Sequence, residues 1–202
     1  MTYDVTILTL RPGVTPRALP ALGKALEGWA GRMLACWYSD LGALNRILIL
    51  AEHDASQEGS EARHALARES NLFGIGEFIT SSTFDTFVQF PFMDKIQAGS
   101  PGPVFEVRTY SLKPDGLQKT IELWRKAVPG RITLSPILAA MYSVTGAAPR
   151  FMHIWPYKSL DERQRIRAKS VEVGLWPPPG GPDHLATMQS DIYLPAPFSP
   201  IR

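Results

Sequence analysis

Residues alternate between two side-chain sets through FEVRTYSL (105–112) and again through RFMHIWPY (150–157), a period of two that predicts two strands. Between them the rhythm changes. After Lys113-Pro114-Asp115, the residues Leu117, Ile121, Trp124 and Val128 fall at i, i+4, i+7 and i+11, the apolar stripe of one helical face. AAMYSV (139–144) predicts a further strand that turns around Thr145-Gly146-Ala147 into the second of the pair. Ser159 and Glu162 have capping-box spacing, which predicts a helix running to Val173 and stopping at Gly174. SDIYL (190–194) closes the series as a strand. The order βαββαβ is that of a ferredoxin-like unit, with helices on one face of an antiparallel sheet.

The pattern is written twice. YDVTILTLRPG (3–13) lies above FEVRTYSLKPD (105–115), with Asp4 over Glu106, Val5 over Val107 and Pro12 over Pro114. YSDLGALNR (38–46) matches YSVTGAAPR (142–150) at Tyr38/Tyr142, Gly42/Gly146 and Arg46/Arg150, and Asp85, Phe87 and Pro91-Phe92 match Asp191, Tyr193 and Pro197-Phe198. The first half has its own helical stripe at Leu19, Leu22, Leu26, Trp29 and Met33, with Pro16 and Pro20 expected at or before the first turn. Three ordered blocks imply tandem copies. The units expected are 1–97 and 104–202, joined by a Gly/Pro/Ser linker at 98–103. The fold class is therefore α+β, two ferredoxin-like units that cover each other's open sheet faces.

Each strand splits into two faces. Val5, Ile7, Leu48 and Leu50 in the first copy, with Val107, Thr109, Met152 and Ile154 in the second, form an apolar set assigned to the helix-covered side. The opposite set in the second copy is Glu106, Arg108, Tyr110, Phe151, His153 and Trp155, joined by Tyr142, Asp191 and Tyr193. Its first-copy equivalents are Asp4, Thr6, Leu8, Ile47, Ile49 and Ala51, which are mostly aliphatic or small. Burying charged groups without partners is costly, so the polar set implies a pairing network or a wet cavity. A ligand site is expected in the second copy. His153, Arg108 and Tyr110 are its candidate catalytic groups; Glu106, Trp124, Tyr142, Phe151, Trp155, Asp191 and Tyr193 are its candidate ligand contacts.

Composition narrows the classes of partner. The chain has 202 residues, 45% of them apolar, and a net charge of +2 from 21 basic and 19 acidic side chains. That balance argues against a nucleic-acid partner. No run approaches the roughly 20 apolar residues of a membrane helix, and the start MTYDVTILTL lacks a basic leader, so a cytoplasmic protein is expected. Cys36 is the sole cysteine, and the four histidines show no paired ligand spacing; no metal and no cofactor are expected. Arg163 and Arg167 are read as a solvated helix face, and Trp176-Pro-Pro-Pro-Gly-Gly181 as a plain connection.

FEVRTYSLKPDGL, HIWPYKSLDERQRIR and the terminal LPAPFSP resemble the NIPSNAP family over the second copy, and the first copy resembles the same domain without the His-x-Trp and Ser-x-x-Glu-Arg patterns. The resemblance implies a dimeric α+β barrel and a protein of unknown biochemical activity that forms homo-oligomers. The function expected is binding of a small aromatic or anionic molecule in the C-terminal half. Two other readings compete with it. One is a cofactor-independent enzyme, monooxygenase- or isomerase-like, in which His153 shuttles a proton and Arg108 steadies an oxyanion. The other is a non-catalytic module whose exposed edges recruit further copies.

Overall fold

A computed structural model describes residues 1–29, 32–54 and 56–202. Its strands are β1 (Thr2–Leu10), β2 (Met33–Leu41), β3 (Arg46–His53), β4 (Ile79–Gln89), β5 (Val104–Leu112), β6 (Ala139–Ser143), β7 (Arg150–Tyr157) and β8 (Leu185–Pro195). The helices are α1 (Thr15–Leu26), α2 (Ser56–Arg68), α3 (Gly116–Arg131) and α4 (Leu160–Glu172). Each half thus runs βαββαβ. Among the described residues no helix is long and apolar enough to cross a membrane.

Ser159 caps α4 as expected: its hydroxyl accepts the Glu162 amide at 3.1 Å, and Gly174 follows in the left-handed region at φ 69°. The first helix departs from expectation. α1 ends at Leu26, Met33 already belongs to β2, and the side chain of Trp29 is outside the described residues. Pro20 sits inside α1 rather than in its first turn, on the exposed side where water can take the carbonyl its missing N–H leaves free.

The eight strands close into one barrel in the order β1-β3-β2-β8-β5-β7-β6-β4. Each half supplies four consecutive staves, and the halves join edge to edge at β2–β8 and β4–β6. The two open sheet faces become a common interior. It is filled by Tyr3, Val5, Trp37, Leu48, Leu50, Phe87, Phe105, Val107, Met141, Met152, Ile154 and Tyr193, with Trp37 stacked on Phe105 at 4.2 Å between centroids.

This reverses the face assignment made from the sequence. The apolar set lines the barrel interior, and the polar and aromatic set of β5 and β7 faces α3 and α4. Alternation identifies which residues share a face but not what covers it. The interior of a small barrel is filled mostly by apolar side chains from every strand, whereas helices leaning on its outside can deliver arginines to meet a carboxylate there. In the first half the outer face carries Leu8, Ile47 and Ile49 against Ala18, Leu22 and Leu26 of α1. Cys36 packs there too, and burial pushes its thiol up to about 12.

Several of the residues that recur in both halves join them. Arg150 meets Asp85 across the seam at 2.9 Å, and Asp191 accepts the Ala43 amide at 2.7 Å. Phe90 and Phe92, beyond β4, pack into the aromatic cluster of the second half, while Ala196 and Phe198, beyond β8, pack on α1. Gly42 and Gly146 have φ of 94° and 71°, and a Cβ on either would run into the opposing Asp191 or Asp85 carboxylate. Gly146→Ala is therefore expected to destabilise the protein by about 1–3 kcal/mol, through the strained backbone and the displaced ion pair, as read by urea denaturation. An unchanged midpoint would show that the seam yields.

Candidate functional site

In the β5–β7 ladder Glu106 lies opposite Trp155, Arg108 opposite His153 and Tyr110 opposite Phe151, so six side chains of the second half share one outward face. α3 crosses them with Thr120, Trp124 and Arg131 turned inward, and α4 adds Arg167 and Ser170. Between sheet and helices lies a cavity of about 510 Å³, floored by Arg108, Tyr110, Phe151, His153, Trp155 and Tyr157. Its roof is Trp176, Pro177, Pro178, Gly181 and Pro182. The loop read as a plain connection is thus a wall of the cavity. Its prolines restrict the backbone that holds Trp176 over the opening.

The cavity is an aromatic slot with a basic lining. Trp124 stands edge-on to Trp176 and tilted against His153, each at 4.7 Å between centroids, and Trp155 meets Trp176 at 5.6 Å. His153 is 1% exposed. Its Nδ1 accepts the indole N–H of Trp155 at 2.7 Å, and its Nε2 is buried without a partner. Burial, reinforced by the charges of Arg108, Arg167 and Arg131, holds its pKa well below the usual histidine range, so it is neutral at pH 7. Burial also pushes the Tyr110 phenol up to about 12, which keeps it protonated.

Glu106, 0% exposed, anchors the basic groups from beneath. Its Oε1 accepts from Arg163 at 2.6 Å and from the Ser190 hydroxyl at 2.9 Å, with Arg108 and Arg167 each at 3.6 Å. Burial alone would raise its pKa, but the Arg163 hydrogen bond and the three guanidinium charges outweigh it and hold the carboxyl below the usual range. Arg163 and Arg167 are therefore turned onto a buried carboxylate instead of forming the solvated face expected. The first half keeps a simpler version, with Asp4 bound by Arg63 at 2.8 Å and by His53 at 3.1 Å.

Arg131 differs from the other arginines. It is 2% exposed, its Nη1 donates to Ser135 Oγ at 2.9 Å and its Nη2 to Tyr157 Oη at 3.4 Å, and its guanidinium lies 4.3 Å from the Trp155 ring centroid. Among the described residues no carboxylate is within 4.0 Å of it. Burial pulls its pKa down, yet a guanidinium remains charged.

Of the residues singled out from the sequence, His153, Arg108, Tyr110, Trp124, Phe151 and Trp155 line this one cavity. Glu106 is on the same face, just below the wall. Tyr142 is on the helix-covered side but outside the wall, its ring 6.5 Å from Phe90. Asp191 and Tyr193 belong elsewhere: both line a smaller space inside the barrel with Arg46, Asp85 and Arg150. They are corrected on a matter of register, since Asp191 pairs with Val107 and therefore shares its inward face. Arg131 and Tyr157 were not among the candidates, and Arg167 and Trp176 were expected on a solvated helix face and in a plain connection. For Arg131 the signal was present: it continues the Leu117, Ile121, Trp124, Val128 stripe at i+14, where an arginine is out of place.

Residues 105–200 match the NIPSNAP family model. The chain is 26% identical over 176 residues to the NipSnap homolog of Dictyostelium discoideum, covering 86% of this chain and 77% of that relative. It is 23% identical over 180 residues to Drosophila melanogaster NipSnap, covering 83% of this chain but only 64% of the fly protein. Among solved structures, a protein of Fusobacterium nucleatum carrying a provisional monooxygenase name superposes with a TM-score of 0.64 at 12% identity, over 96% of this chain and 92% of that one. That likeness establishes the α+β barrel fold.

Proposed function

We propose, from the match of residues 105–200 to the NIPSNAP family model, that the chain is a member of that family and that its C-terminal half binds a small molecule that is both aromatic and anionic. One observation carries the reading: a buried arginine without a carboxylate partner, Arg131, in the wall of a cavity made of tryptophan, phenylalanine and tyrosine rings. An uncompensated buried charge costs several kcal/mol, roughly, and a ligand anion would offset it. The rings would supply apolar contact and edge-to-face stacking to a planar group. In this reading residues 1–97 and 104–202 are copies of one unit joined at 98–103, and the first copy serves as wall and support.

The test uses 2-naphthoate as a probe, followed by quenching of the tryptophans that line the cavity and by thermal shift. Saturable binding that raises the melting temperature is expected, with neutral 2-naphthamide at least about tenfold weaker. Equal affinity for the two, or no binding at millimolar concentration, would overturn the reading.

A cofactor-independent enzyme is the second reading. It draws support from the common void that His153 and Arg108 line and, by analogy of fold, from the monooxygenase name of the Fusobacterium protein. Self-association has less to use than the sequence suggested. Every strand of the barrel is paired on both sides among the described residues, so further copies would meet on helices or loops.

A further inference from the structure

Trp155 and His153 stand two residues apart on β7 with their side chains on one face, and the indole N–H reaches the imidazole at 2.7 Å. An indole nitrogen only donates, so the imidazole nitrogen that receives it must present a lone pair. That nitrogen is Nδ1. A neutral imidazole carries one proton, which is thereby confined to Nε2. Nε2 is buried and without a partner, in a ring that forms part of the cavity floor.

We propose that His153 is a tautomer-locked hydrogen-bond donor to the ligand, through Nε2–H, and that the cavity selects groups that only accept hydrogen bonds, an aromatic carboxylate being the class that fits. The proposal rests on the reading of this cavity as an anion site. It differs from a proton shuttle in sign. A base at Nε2 would require the proton on Nδ1, where it would face the Trp155 N–H head-on.

The rest of the lining agrees. Arg108, Arg131 and Arg167 are donors only, and among the described residues no aspartate, glutamate, asparagine or glutamine side chain lines the space. Glu106, the nearest carboxylate in the ladder, is not part of the lining; its Oε1 receives Arg163 and Ser190, and its Oε2 is buried without a partner. The remaining polar groups, such as Tyr157 and Thr120, are hydroxyls that can donate as well as accept. A ligand amide or ammonium would meet these donors with protons of its own. A carboxylate would meet them with lone pairs. Trp155 is then a positioning residue, holding the imidazole proton where the ligand oxygen arrives.

Two measurements on the full chain separate this proposal from the reading beneath it. Long-range nitrogen–proton correlation spectra of the free protein should show His153 with a protonated Nε2 and a lone-pair Nδ1, and Trp155→Phe should release that preference. An imidazolium, or a proton on Nδ1, would overturn the donor assignment whatever binds. For 2-naphthoate, His153→Phe should lose at least about tenfold in affinity, while His153→Gln, whose amide nitrogen can donate from nearly the same position, should stay within about threefold of wild type. Equal affinity in wild type and His153→Phe would overturn the ligand contact. If 2-naphthoate binds to none of the three, the cavity reading fails, and the ligand contact with it, even where the spectra show the Nε2–H form.

Discussion

Arg131→Met is expected to weaken 2-naphthoate binding by about a hundredfold while leaving stability within about 1 kcal/mol of wild type. The binding loss follows from deleting a charge-assisted contact in a dry site, on the order of 2–3 kcal/mol. The stability forecast is a balance. Removing the guanidinium forfeits the Ser135 and Tyr157 hydrogen bonds and its contact over the Trp155 ring, roughly 1–3 kcal/mol together. It also relieves the burial of a charge that lacks a carboxylate partner, and replacing buried ions by apolar groups of similar size is often neutral or stabilising by about 1–4 kcal/mol. Calorimetric titration with thermal melting reads both quantities. A melting temperature that collapses along with binding would mean that Arg131 is a structural strut, and the counter-ion argument would fail.

Glu106→Gln should behave in the opposite way. Here the carboxylate is what neutralises its neighbours, and its loss leaves Arg108, Arg163 and Arg167 facing a neutral amide in a buried site. Breaking one side of a buried pair costs about 3–5 kcal/mol, and at about 2–4 °C per kcal/mol for a chain of this size the melting temperature should fall by about 10 °C. The pH dependence carries a definite sign. Because the folded pKa of Glu106 is depressed, the stability it contributes is complete above the ordinary carboxylate pKa, roughly 4.3, and is lost as pH falls through the lower folded value. The gap between wild type and Glu106→Gln should therefore be widest near neutrality and narrow in acid. A gap that stayed constant from pH 7 into the acid range would show that the side chain acts through its shape and not its charge.

The two substitutions also show how far the chain could be read without coordinates. Glu106 was legible as a charged residue in a strand whose neighbours alternate around it, so its need for partners was evident. Its actual partners, Arg163 and Arg167, were visible only as basic residues one helical turn apart, and a helix in isolation presents such residues to water. The packing of α4 against the sheet brings them onto Glu106 of β5 instead. Arg131 occupies a position of the apolar stripe, but a stripe is ordinarily read for its hydrophobes, and the residue ending it is easily assigned to the helix terminus. Trp176 gave no periodic signal at all, because a loop side chain has no face until the loop has somewhere to lie. Asp191 and Tyr193 were read into the wrong layer, since they share one face of SDIYL and their polarity suggests the polar set of β5, whereas the β5–β8 register, which no local pattern shows, pairs them with the inward-facing Val107 and Phe105.

Element types, their order, the likeness of the two halves and the concentration of polar and aromatic side chains in the second half were determined by the sequence, because each is written in short-range periodicity or in direct correspondence between segments. Which side of the sheet became the core, and that a buried arginine, Arg131, was left without a carboxylate within 4.0 Å among the described residues, were decided by the tertiary structure. Those outcomes depend on barrel closure, which brings strands from opposite ends of the chain edge to edge and assigns the dry interior to one set of alternating residues. The other set is left for the helices to cover, and it is there, between sheet and helix, that a cavity could form.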